Sequence, residues 1–116
     1  MEQLLEETKL TYYEYVANIK KGCLEIAQQL RTEQFSNAFE SITNLAEGLE
    51  WLIQIEQLML QNQYNIKSKT KDAIPFFIEI NEALENKDYI LLADLFEYEI
   101  AEIFTSASEW TFEGAN

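Results

Sequence analysis

Apolar residues recur every seventh position through the first quarter of the chain, in two interleaved sets. Val16, Cys23 and Leu30 form one set; Leu5, Tyr12, Ile19 and Ile26 form the other, offset by three or four. This is the seam of a helix packed nearly parallel or antiparallel to its neighbours, and it predicts one long helix over about residues 2–31. Lys9 takes the remaining seam position, near the open end. Gly22 costs such a helix about 1 kcal/mol relative to Ala; it either permits close approach of another helix or is simply tolerated.

"RTEQ" (31–34) is the first connection, with Thr32 as candidate N-cap, its hydroxyl accepting from a free amide of the next turn. A second helix is predicted over about 33–62. On a helical wheel Phe35, Ala38, Ile42, Leu45, Ala46, Leu49, Ile53 and Leu60 share one arc, with Leu52 and Met59 at its edge. Trp51, Ile55 and Leu58 fall outside that arc, so the helix begins amphipathic and becomes apolar around most of its circumference. "NQYNIKSKT" (62–70) reads as the longest connection.

A third, short helix is predicted over about 72–85, capped by Asp72, with Pro75 in the first turn where its missing N–H does no harm. Phe77, Ile80 and Leu84 form its inner stripe. "ENKD" (85–88) is a second short turn, with Asp88 as cap, and a fourth helix is predicted over about 89–108. Its core face is Tyr89, Leu92, Ala93, Phe96, Ile100, Ile103 and Ala107; Leu91, Leu95 and Tyr98 make an extra stripe. The tail "EWTFEGAN" carries Trp110 and Phe112, which can tuck back onto the bundle. Short connections make successive helices antiparallel. The expected fold is therefore all-α, a single-domain antiparallel up-down four-helix bundle (1–116) with a short third helix. The alternative is a helical-repeat-like arrangement. "EQFSNAFESI" and "KDYILLADLF" each open a helix with an aromatic after a short polar turn, but no repeat period follows.

Charge narrows the partners. Twenty-one acids face eight bases, for a net charge of −13, and there is no histidine. Residues 72–116 hold eleven acids and one base, whereas "KSKTK" (67–71) holds three lysines and no acid. Such a surface repels phosphate backbones and anionic lipid, so neither nucleic acid nor a membrane is an expected partner. The lone Cys23 makes no intramolecular disulfide or thiolate cluster, which suits a cytoplasmic location. The start of the chain lacks the basic and apolar regions of a signal peptide, and no apolar run is long enough to span a membrane.

Candidate chemistry is sparse. Asp94, Glu97, Glu99 and Glu102 crowd the fourth helix, but a carboxylate di-metal site in a bundle also uses Glu-x-x-His pairs, and no histidine exists. No Gly-rich phosphate loop, metal-ligand spacing or nucleophile–base set is present, so no catalytic, cofactor or metal residue is expected. Glu56 stands out as an acid set among Leu49, Leu52, Ile53, Met59 and Leu60. It is either paired inside the chain, with Lys9 or the lysines of 67–71 as partners, or reaches solvent, or acts as a buried functional acid. Tyr12, Tyr13, Tyr15 and Cys23 are expected to pack. The stripes Trp51–Ile55–Leu58 and Leu91–Leu95–Tyr98 are either covered by helix three, the long connection or the tail, or left open for another helix.

"IKKGCLEIAQQLRTEQFSNAFESITNLAEGLEWL" (19–52) resembles the first helical hairpin of the flagellar export chaperones, and "LADLFEYEIAEIFTSASEW" (92–110) resembles their final helix ending in an aromatic. That family's members are small cytoplasmic bundles that hold terminal helices of flagellin in hydrophobic grooves. The chain is also similar to small acidic helical-bundle proteins of Gram-positive bacteria with no assigned function. The resemblance implies a bundle that binds a helical segment; no binding residue is carried over from it. The functional expectation is a non-catalytic bacterial interaction protein that binds a helical segment with a basic face. The alternative is a structural or regulatory homodimer without cargo.

Overall fold

In the computed structural model, which describes residues 2–114, the first predicted helix is broken in two: α1 (Glu2–Ala17) and α2 (Ile19–Arg31). The break is at Asn18, whose side-chain amide donates to the Glu14 carbonyl at 2.9 Å while its backbone N–H turns to Tyr15 O at 3.1 Å. An asparagine competing for its own helix carbonyl opens one turn there. The seam survives the break: Leu5, Tyr12, Val16, Ile19, Cys23, Ile26 and Leu30 are all buried.

α3 (Phe35–Gln61) follows. Thr32 does not cap it. Thr32 closes α2 instead, its hydroxyl donating back to the Gln28 carbonyl at 2.8 Å, and Gln34 precedes α3 without a side-chain cap. The buried ladder of α3 is Ala38, Ile42, Leu45, Leu49, Leu52 and Met59, alternating steps of four and three, with Glu56 in the slot between Leu52 and Met59. Leu60, expected in the core, is 60% exposed, while Met59 is fully buried. A heptad seam drifts roughly 20° per repeat on an ideal wheel, so over three repeats the buried line moves off Leu60 and onto Met59.

The connection after α3 and the C-terminal tail form a ribbon. β1 (Tyr64–Ile66) pairs antiparallel with β2 (Phe112–Gly114), in the register Tyr64↔Gly114, Asn65↔Glu113 and Ile66↔Phe112. Phe112 is buried with its ring 4.9 Å from Tyr12, and its backbone N–H donates to the Tyr13 hydroxyl at 2.9 Å. Trp110 is buried against Phe104 at 5.6 Å. The two aromatics of the tail thus tuck back onto the bundle, Phe112 onto α1 and Trp110 beside Phe104.

That helix, α4 (Ile74–Glu85), is preceded by a 3₁₀ turn (Thr70–Ala73). Asp72 lies inside the turn and does not cap α4; Pro75 sits in the first helical turn as expected. Asp88 does cap the fourth rod, accepting from the Leu91 N–H at 3.1 Å.

The fourth rod comprises α5 (Tyr89–Asp94), a π-helical stretch Leu95–Ile100, and α6 (Ala101–Ile103). A π turn inserts in effect one extra residue, rotating everything after it by about one α-helical position. Buried residues are therefore Leu92, Ala93 and Phe96 before the shift and Ile100, Ala101, Phe104 and Ala107 after it. Leu95 is drawn into the core, and Ile103, expected there, is half-buried.

Lys20 reaches Thr105 at 3.2 Å and Arg31 reaches Asp94 at 2.9 Å, so α2 and the fourth rod run antiparallel. The rods follow one another up, down, up and down, as an all-α four-helix arrangement around one apolar core, within an envelope of 49 × 21 × 20 Å. No helix is long and apolar enough to cross a membrane among the described residues.

Candidate interaction site

The residues singled out in the sequence separate in the fold. Trp51 is half-buried, its ring meeting Tyr15 edge-on at 5.7 Å, and Ile55 is half-buried against the core. Leu58 is exposed. The close approach beside this stripe is at Gly48, not Gly22: a Cβ at Gly48 would overlap the Tyr15 hydroxyl, whereas one at Gly22 would meet open space. Of the other stripe, Leu95 is core, while Leu91 and Tyr98 are exposed. Neither set forms a groove by itself.

Glu56 is half-buried and held by two hydroxyls. Tyr12 donates to one carboxylate oxygen at 2.8 Å and Ser68 to the other at 2.7 Å. The lysines considered as partners do not pair with it. Lys9 pairs with Glu6 at 3.0 Å and lies over the Tyr64 ring at 3.8 Å, and Lys67, Lys69 and Lys71 form no ion pair among the described residues. Burial, and after it the Glu56 charge, push the Tyr12 phenol well above its ordinary range. The cluster joins α1, α3 and the 62–73 connection, so its geometry is that of a clasp. Cys23 is fully buried, and burial pushes its thiol up to about 12, which leaves it unreactive.

A different site is assembled by the two short turns, and it explains the weak echo between "EQFSNAFESI" and "KDYILLADLF". In the first turn Gln34 N–H donates to Gln29 O at 2.8 Å and Glu33 N–H to Leu30 O at 3.2 Å. In the second, Asp88 N–H donates to Ala83 O at 2.9 Å and Lys87 N–H to Leu84 O at 3.2 Å. Both are Schellman closures with a left-handed residue after the cap, and in both that residue is charged, not glycine: Glu33 at φ 60 and Lys87 at φ 54. The first helical residue after each turn is aromatic, Phe35 and Tyr89, and their rings meet at 4.5 Å. Phe39 completes a trio, 6.3 Å from Phe35 and 5.9 Å from Tyr89.

Open cavities flank this trio. One, of about 450 Å³, is bounded among others by Leu30, Glu33, Phe35, Lys87, Tyr89 and Ile90. The other, of about 290 Å³, is bounded by Phe39, Ile42, Thr43, Leu84, Lys87 and Tyr89. Lys87 and Tyr89 belong to both. The first opens onto the outer face of the fourth rod, where Ile90 is 74% exposed and Leu91 and Tyr98 are exposed too. Between them stand Asp94 and Glu97, held by Arg31 at 2.9 and 3.5 Å. The larger cavity is lined by apolar and aromatic Leu30, Phe35, Tyr89 and Ile90 together with charged Arg31, Glu33, Lys87 and Asp88, a lining that accommodates a bulky apolar side chain beside charged groups. Sequence reasoning found the aromatic after each turn but not that the two would touch, because that contact is tertiary.

Neither a curated protein nor a solved structure matches the chain. A family model does match residues 7–109, a span that includes both turns, the aromatic trio and the Tyr12–Glu56 clasp, and the chain belongs to that family, described as a domain of unknown function (DUF8042).

Proposed function

We propose that this protein is a non-catalytic interaction module that holds an apolar helical segment of another protein at the end where the two turns meet. The observation that carries this reading is the pair of open cavities around Phe35, Phe39 and Tyr89, the larger of them bordered by exposed Ile90. Aromatic residues beside a desolvated pocket are the side chains that most often dominate binding free energy. A partner helix offers anchors one turn apart, spaced to fill a cavity and lie along a neighbouring apolar strip. The net charge of −13 selects a partner with a basic face and raises the encounter rate with it.

A small cytoplasmic adaptor, or a holder of the kind the flagellar export chaperones are, is the role this suggests. The predicted stripes are replaced as the contact surface: exposed Leu91 and Tyr98 stay beside it, and anchoring through Trp51, Ile55, Leu58 or Leu95 is not required. Glu56 is assigned to the clasp, since both its oxygens accept from internal hydroxyls.

The test is a pull-down from bacterial lysate with the full chain, comparing wild type with Ile90→Asp and Leu91→Asp. Both positions are exposed, so the fold is not at stake. A protein retained by wild type and lost from both variants supports the reading. Equal retention by all three proteins, or no retained protein, counts against it.

A further inference from the structure

Where α2 meets α3, small and polar residues stand at positions that a tighter hairpin would fill with aliphatic ones. Asn18 breaks the helix, Gly22 follows one turn later, and α3 contributes Ser41 and Asn44. An open cavity of about 280 Å³ results, to which α1 adds Tyr15. Apolar Ile19, Ile26 and Leu45 line it as well. A Cβ built at Gly22 meets open space, so the missing side chain is part of the opening.

The chemistry of this cavity is one-sided. Glu25 is the only charged residue lining it among the described residues. Glu14 lies one helical turn before Asn18, and Glu40 and Glu47 lie one turn to either side of Asn44; all three are exposed. Lys21, one turn before Glu25, is exposed and pairs with none of these acids. The Asn18 side-chain amide already donates to the Glu14 carbonyl at 2.9 Å, which leaves its oxygen as an acceptor. One turn beyond Glu25 and Ile26 along α2, the Gln29 side-chain oxygen is buried with no donor among the described residues. Acceptors and negative charge therefore outnumber donors and positive charge on this side of α2.

We infer that this cavity receives an arginine side chain of a partner peptide. A guanidinium brings five N–H donors and a fixed positive charge, and carries no acceptor. Its charge meets Glu25, its donors meet the Asn18 oxygen and the Ser41 and Asn44 side chains, and its plane stacks against the Tyr15 ring. The methylene stem packs on Ile19, Ile26 and Leu45. An anion would meet Glu25 with like charge, and an apolar side chain would strip water from four polar residues without replacing it. The cavity shares no lining residue with those around Tyr89, so failure of either reading leaves the other standing.

The experiment is an NMR titration of the isotope-labelled full chain with N-acetyl-arginine amide. N-acetyl-citrulline amide serves as its neutral isostere and N-acetyl-lysine amide as the other cation. The proteins are wild type, Gly22→Leu, Glu25→Gln and Glu85→Gln. Gly22→Leu fills the opening without changing charge, and Glu85→Gln removes an exposed charge at the far end of α4. Thermal unfolding checks that each variant folds. Wild type is expected to show saturable shifts centred on the Gly22, Ser41 and Asn44 amides. Gly22→Leu is expected to abolish them, Glu85→Gln to leave them unchanged, and Glu25→Gln to weaken binding about two- to fivefold, the range of a solvent-exposed charge pair. Shifts that spread over the acidic surface without saturating, equal binding of citrulline or lysine, a folded Gly22→Leu protein that binds as wild type does, or equal loss in Glu25→Gln and Glu85→Gln would overturn the inference.

Discussion

The Tyr12 hydroxyl donates to the Glu56 carboxylate at 2.8 Å, across the seam where α1 meets α3. Both residues occupy seam positions that would otherwise hold aliphatic side chains, Tyr12 in line with Leu5 and Ile19, Glu56 between Leu52 and Met59. A polar pair in an apolar seam costs stability relative to a good hydrocarbon fit, but it penalises any slip of one helix past the other. Ser68 holds the second carboxylate oxygen at 2.7 Å and so fixes the connection to the same point.

Tyr12→Phe is expected to cost about 1–3 kcal/mol, the range for leaving one side of a charge-assisted hydrogen bond unmet. Replacing both partners with apolar groups, Tyr12→Phe with Glu56→Met, is expected to recover much of that loss, because no desolvated acceptor remains. Urea denaturation of the three proteins measures this. A Tyr12→Phe protein as stable as wild type would show that water serves Glu56 equally well.

Stability is expected to fall in alkali, because two buried groups hold their protons more tightly in the fold than in the unfolded chain. In the unfolded chain the Cys23 thiol ionises near its ordinary 9.0, while in the fold burial holds its proton to about 12. Tyr12, ordinarily 10.0, is raised in the same way. The folded state therefore binds more protons than the unfolded state across this window. Both contributions are complete below pH about 9 and are lost as pH rises through the folded values, at no more than about 1.4 kcal/mol per pH unit per group. Urea midpoints measured from pH about 8 to 11 should decline, and Cys23→Ala should flatten the first part of that decline. An unchanged slope in Cys23→Ala would mean the thiol is not what titrates.

The two helical glycines are expected to respond oppositely to alanine. At Gly22 a Cβ meets open space, so Gly22→Ala should add roughly 0.5–1 kcal/mol from helix propensity alone. At Gly48 the Cβ overlaps the Tyr15 hydroxyl, so the ring must swing off Trp51. The propensity gain is then offset, and Gly48→Ala should be destabilising by about 1–3 kcal/mol. Thermal unfolding reads both, and tryptophan emission should shift only for Gly48→Ala. A stabilised Gly48→Ala protein would mean the Tyr15–Trp51 contact contributes nothing.

What was legible in the sequence was what repeats locally. The seven-residue spacing from Leu5 to Leu30 and the capping side chain of Asp88 each act within a turn or two, and both appear in the fold. The ribbon was not legible, because "YNI" and "FEG" are three-residue strands whose pairing joins the two sides of α4 and the fourth rod. The π stretch was not legible either: nothing in "LFEYEI" marks an inserted turn, and its effect appears only as Leu95 moving inward and Ile103 moving out. The aromatic after each turn was visible, but Phe35 against Tyr89 depends on how the hairpins dock.

The left-handed residues of the two turns give the sharpest link between strain and site. Glu33 and Lys87 sit at φ 60 and 54, where a side chain costs roughly 1–2 kcal/mol that glycine avoids. Both also border the larger cavity beside Phe35 and Tyr89. Glu33→Gly and Lys87→Gly are each expected to stabilise the fold by about 0.5–1 kcal/mol, less than the full strain because glycine also frees the unfolded chain. Strained residues retained at a pocket rim are those that a binding role would keep. The same substitutions should therefore weaken retention of the partner in the pull-down while raising the melting temperature. Stabilised variants that hold the partner as well as wild type would place the rim charges outside the contact, and loss of stability would show that side-chain contacts of Glu33 and Lys87 outweigh their backbone strain.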